Sequence, residues 1–158
     1  MKRSIKKGVG FGLSSGIITT LGLMIGLYAS TNSKMIVLGG IILIAIADSL
    51  ADSLGMHMSA EFESNTSKKG LWETTVATFS SKFIFAISFI IPVLIFQLKT
   101  AIIVSIVWGM LLLSILSFQI SKKSRYSSFR IILEHLVLAV CVIIITYCLG
   151  SLFRVFGV

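Results

Sequence analysis

The stretch VLGGIILIAIADSLADSLGMHMSAEFE, residues 37–63, decides the reading of this chain. Its first eleven residues are apolar, and Asp48 and Asp52 then follow one helical turn apart without ending the apolar character. A helix of about 20 apolar residues crosses the roughly 30 Å hydrocarbon core of a bilayer. An aspartate near the centre of such a helix costs about 2.5–3.5 kcal/mol on insertion scales. Two of them need a partner, and a cation satisfies two carboxylates best. The stretch therefore reads as a membrane span carrying a metal-ion or proton pathway.

The rest of the chain fits that frame. The 158 residues are 56% hydrophobic and only 13% charged, against about 25% charged in soluble domains. Five apolar stretches stand at about 9–30, 35–57, 74–96, 101–120 and 131–153. Backbone groups in lipid must be satisfied within their own segment, so each is expected as a helix. The expectation is an all-α, single-domain membrane protein over residues 1–158, with no room for a separate soluble domain. Pro92, the single proline, is expected to kink the third span.

The net charge of +8 raises nucleic acid as a partner, but the distribution argues for lipid. With the N-terminus in the cytoplasm, Lys2, Arg3, Lys6, Lys7, Lys68, Lys69, Lys122, Lys123, Arg125 and Arg130 fall on the cytoplasmic side. Lys34, Lys99 and Arg154 fall outside, and Lys82 lies within the third span. This is the positive-inside pattern; it predicts the C-terminus outside and argues against nucleic-acid binding. The apolar run after MKRSIKK is too long for a signal-peptide core and reads as the first span. Cys141 and Cys148 are seven residues apart on one span, about 10.5 Å along a helix, too far to bridge; they read as small packing residues.

On span two, with 100° per residue, Asp48, Asp52, Met56, Ser59 and Glu63 share a face about 80° wide. Asp48 and Asp52 lie about 20 and 25 Å from an outer start near Met35, in the cytoplasmic half. His57 and Glu61 lie on the opposite side, below Ser49 and Ser53. Glu61, Glu63 and Glu73 gather at the cytoplasmic mouth, with Glu134 and His135 at the start of span five. Carboxylates suit hard divalent ions; imidazole and thioether draw the choice toward iron, manganese, cobalt or zinc. The alternative is structural: the aspartates pair with serines or Lys82 and fix helix packing. In span one, Gly8, Gly12, Gly16 and Thr20, and then Gly22, Gly26 and Ser30, form small-residue stripes. These suit tight packing within a subunit, a subunit interface or a pore wall. Ser14, Ser15, Thr19 and Thr20 add hydroxyls able to solvate an ion.

At these residues the chain resembles the vacuolar iron transporter family. GLSSGIITTLGLMIGL (12–27), IADSLADSLGMHMSAEFE (46–63), the proline after SSKFIFAISFII (80–91), Glu134 and TYCLG (146–150) follow the family's order of features. The resemblance implies a homodimer with a pore on its two-fold axis, lined by spans one and two. It implies export of ferrous iron or manganese from the cytosol in exchange for protons, with no permanently bound cofactor. Asp48, Asp52 and Met56 would bind the metal within the membrane, and Glu61, Glu63 and Glu73 would collect it. His57, Ser15, Glu134 and His135 are further candidates. Ser15 stands where better-known members carry an aspartate, and the connection between spans two and three is too short for their cytoplasmic metal-binding domain. A prokaryotic plasma membrane is the expected location. Two other classes stay open: a proton or monovalent-cation pathway or structural subunit, and a metal-dependent membrane enzyme. The enzyme is disfavoured because only Lys82 lies within a span to hold a phosphate.

Overall fold

The computed structural model describes residues 2–63, 67–122 and 127–156. Lys123 and Arg125, counted above as cytoplasmic charges, and residues 64–66 of the second connection lie outside them. Every element among the described residues is helical: α1 (Arg3–Thr31), α2 (Lys34–Glu61), α3 (Lys68–Ser88), α4 (Ile90–Ile95), α5 (Leu98–Ser121) and α6 (Ser128–Val155). With α3 and α4 taken as one broken rod, five helices are long and apolar enough to cross a membrane. The chain is thus an integral membrane protein. Each helix extends beyond its apolar stretch, because Lys, Ser and Glu at the ends continue the helix outside the hydrocarbon.

The third rod breaks at Phe89, three residues before Pro92. Proline has no N–H for the carbonyl four residues back, that of Ser88, so the helix fails there rather than at the ring itself. The outer ends are tied together. α1 stops at Asn32, whose φ of 48° is left-handed and whose N–H bonds the Tyr28 carbonyl. Ser33 then caps α2 by accepting from the Ile36 N–H. Lys34 reaches across to donate to the Leu94 and Phe96 carbonyls, at 3.2 and 3.1 Å. A cation is stabilised there, at the negative end of α4.

α1 is the centre of the bundle and packs on α2, α3, α5 and α6. Its glycine stripes are spent on contacts within the subunit. Gly8 and Gly12 lie against α3, where an added Cβ would come within 2.4 Å of the Thr74 carbonyl oxygen and 2.5 Å of that of Thr78. Gly26 lies against Gly150 of α6. Lipid gives helices no hydrophobic reason to associate, so close backbone approach and dispersion hold such a bundle. The core has two halves. Toward the α1–α2 turn it is apolar: Met24, Ile25, Val37, Ile41, Phe89 and Val93. Toward the N-terminus of α1 it is rich in hydroxyls, with Ser53, Thr74, Thr78 and Ser81 buried around Lys82. Thr74, Thr78 and Ser81 donate to carbonyls four residues back on their own helix, so they cost little to bury.

The outward faces are apolar. α6 is the most exposed helix, and Cys141 and Cys148 lie free on its outer surface. They do not pack inside the bundle as the sequence suggested.

Candidate functional site

The buried face of α2 is Val37, Ile41, Ala45, Ser49, Ser53, Met56 and Ala60. This seam is turned by about 30° on average from the stripe expected in the sequence, and Met56 belongs to both. Asp48 and Asp52 fall on its edge, with side chains 28% and 23% exposed. Met56 is buried one turn below Asp52, and Ser59 faces outward. The helix ends at Glu61 with Phe62 as its cap, so Glu63 has left the helix and the continuous stripe from Asp48 to Glu63 does not form.

Across from the aspartates stands Lys82 of α3, 1% exposed and the largest fully buried side chain among the described residues. Its Nζ donates to Asp52 Oδ2 and, at 2.9 Å, to Ser15 Oγ on α1. It lies 2.5 Å from Asp48 Oδ2. Ser15 Oγ in turn donates to Asp52 Oδ2 at 2.6 Å. Three helices thus meet at one ammonium, which donates two hydrogen bonds and makes a third, purely ionic contact. The two aspartates differ. Asp52 Oδ2 accepts two hydrogen bonds, whereas Asp48 Oδ2 is buried with the ion contact but no aligned hydrogen bond. With both carboxylates ionised and the amine protonated, the cluster carries one net negative charge. Gly16 makes room for it: a Cβ there would come within 3.1–3.3 Å of the Lys82 backbone and stem.

Asp48 also lines a groove of about 620 Å³ between α1 and α2, with walls of Leu23, Leu27, Gly39, Gly40, Leu43 and Ala47. The carboxylate side of the cluster is therefore the open side, and the amine side is closed.

The remaining candidates lie apart. Glu73 accepts from Lys2 at 2.5 Å and from Ser4 at 2.8 Å, and Glu63 pairs with Lys7. Both ends of this mouth are thereby clasped to the start of α1. Glu61 is exposed at the end of α2. His57 lies against α3, its Nδ1 2.8 Å from Thr75 Oγ1 and its ring edge-on to Trp72. The Thr75 proton goes to the Leu71 carbonyl, so the imidazole is the donor to Thr75 through Nδ1. The same argument holds for His135, which meets Ser117 at 2.7 Å while Ser117 donates to Leu113. Glu134 pairs with Arg130 on its own helix. Of the hydroxyls on α1, Ser14 and Thr19 are spent on backbone carbonyls, Ser15 joins the cluster, and Thr20 is buried with no partner.

Among the described residues no three His, Cys, Asp or Glu side chains converge as a metal site. The sequence did not single out Thr75, Trp72 or Ser117 as the partners of the histidines. Comparison with protein families, characterised proteins and solved structures finds no match to this chain.

Proposed function

We propose that this protein is a membrane cation carrier whose binding groups are Asp48 and Asp52, moving ferrous iron or manganese out of the cytosol in exchange for protons. The observation that carries the reading is two carboxylates inside the bundle sharing a single lysine, with Asp48 lining an open groove. A purely structural ion pair would need one aspartate. The second one, Asp48, meets the Lys82 ammonium without an aligned hydrogen bond and lines the groove, so it is the carboxylate more accessible to a mobile ion.

One chain supplies two carboxylates, so a metal ion completes its shell with hydroxyl, water, Met56 or a second subunit. A homodimer suits the outward face of α2. There Ala47, Ala51 and Gly55 are exposed at four-residue spacing, and a Cβ on Gly39 or Gly55 would touch nothing. Such a small-residue face favours close helix packing in lipid. The basic residues favour an N-terminus in the cytoplasm, and the resemblance to the iron transporters favours a prokaryotic plasma membrane. The contacts of Lys82 with Ser15 and the aspartates favour a carrier over an enzyme that would use this lysine to hold a phosphate.

The single net negative charge also favours a second reading, a proton or monovalent-cation pathway, because one positive charge neutralises the cluster. Uptake of Fe²⁺ and Mn²⁺ into proteoliposomes, with and without a pH gradient, separates the two. Wild type is compared with Asp48→Asn/Asp52→Asn. Metal flux that needs the gradient and both aspartates supports the exchanger. Gradient-driven flux of protons alone supports the second reading. Vesicles with folded protein and no flux of either kind sink both.

A further inference from the structure

The place that would receive a cation already holds one. Lys82 comes from a different helix than either aspartate, and its ammonium sits between them and Ser15. The geometry points to Lys82 as a tethered competitor: an ammonium that fills the carboxylate pair in the resting protein and sets how tightly a mobile cation is held. It is a specificity-determining residue and not a ligand. This rests on the cation-carrier reading above.

Three features carry the inference. The stem is held in place: α1 seats the Lys82 backbone and Cγ against Gly16, so any displacement of the ammonium would come from the end of the side chain. The tip has a second resting partner in Ser15 Oγ at 2.9 Å, which stays within reach when a carboxylate is given up. The two carboxylates are held unequally. Asp52 is bonded by both Ser15 and Lys82, whereas Asp48 has only the unaligned ion contact and faces the groove. An arriving cation meets Asp48, which lines the groove, before it meets Asp52.

A built-in competitor weakens apparent affinity by the fraction of molecules in which the site is free. If Lys82 fills the site in roughly nine molecules of ten or more, its removal tightens binding by about tenfold or more. Tight binding suits a store; a carrier must also let go, and a returning ammonium expels the ion.

The test is equilibrium binding of Mn²⁺ to the full-length protein in lipid nanodiscs, read from the free-ion spin-resonance signal at fixed pH and salt. Lys82→Met is expected to bind at least about tenfold more tightly than wild type. Lys82→Arg keeps the cation and stays near wild type. Because removing a buried cation can unfold the protein, Asp48→Asn is also compared with Asp48→Asn/Lys82→Met. The double variant has lost one charge of each sign, and tighter binding than in Asp48→Asn supports the competitor. Wild-type binding that depends on Asp48 and Asp52 but does not tighten in either Lys82 comparison overturns the competitor and leaves the carrier standing. Failure of every folded form, Lys82→Met included, to bind Mn²⁺ overturns both for divalent metal.

Discussion

One added methyl group should decide whether α1 and α3 are pressed together as closely as the structure has them. In Gly12→Ala the new Cβ would stand 2.2 Å from Ser81 Oγ and 2.5 Å from the Thr78 carbonyl oxygen. The serine hydroxyl can rotate away at the loss of one hydrogen bond. The carbonyl belongs to the α3 backbone and cannot. Ordinary contact begins at 3.4 Å, so α1 must lift off α3 by about 0.9 Å. Overpacking on this scale costs about 1–3 kcal/mol. Gly10→Ala is the control, two residues away on the same helix, where a Cβ meets nothing within 4 Å. There the change gains up to about 1 kcal/mol of helix propensity. The propensity gain is common to both positions and cancels, so the two substitutions should differ by the overpacking cost alone, about 1–3 kcal/mol. Reversible unfolding in mixed micelles, followed by tryptophan fluorescence, measures the difference. Because Ser15 and Gly16 lie one turn further along the same seam, Gly12→Ala should also weaken cation binding while Gly10→Ala leaves it alone. Two variants within about 0.5 kcal/mol of each other would refute the tight seam and the argument that it positions Lys82.

The same structure sets other expectations. Asp52→Asn should destabilise the protein by about 2 kcal/mol more than Asp48→Asn, since only Asp52 accepts charge-assisted hydrogen bonds; chemical unfolding of both variants checks this. Ser15→Ala removes one bond from each ionic partner and should cost about 1–2 kcal/mol in the same assay. Lys2→Ala should leave the melting temperature nearly unchanged, its pair with Glu73 lying at the exposed end of the bundle, yet raise the initial rate of metal entry from the cytoplasmic side at low salt by removing the ammonium from Glu73. In a cysteine-free background, Ser33→Cys should react with an impermeant thiol reagent added outside intact cells, and Lys69→Cys only after permeabilisation; the reverse pattern would invert the orientation.

The spans were legible because each is a long run without charge, and composition alone forces a helix in lipid. Their partners were not. A helical wheel places Asp48, Asp52 and Met56 relative to one another, yet it has no information on which neighbour the helix turns toward. The stripe to Glu63 failed for a second reason: a wheel assumes the helix continues, and α2 ends at Glu61. The small residues Ala45, Ser49, Ser53 and Ala60, spaced for one face, were the available sign of the true buried seam. Lys82 was the clearest sign of all. A lone lysine within a span must meet an anion, and its pairing with the aspartates was one of the two arrangements the sequence allowed. The glycine stripes had three readings, and only the close approaches of Gly8, Gly12 and Gly26 assign them to packing within the subunit.

The two-residue turn at Asn32 and Ser33 acts as the zero mark of a ruler. Ser15 lies about 26 Å down one arm of the hairpin and Asp52 about 29 Å down the other, at 1.5 Å per residue, yet their side-chain oxygens meet at 2.6 Å. One residue added to the turn would slide α2 by about 1.5 Å and rotate it by about 100°, carrying Asp52 away from Ser15. The same insertion in the connection between α2 and α3 lies beyond the graduated part and leaves the match intact. The length of a turn at one membrane surface is therefore part of the specification of a charge cluster near the other.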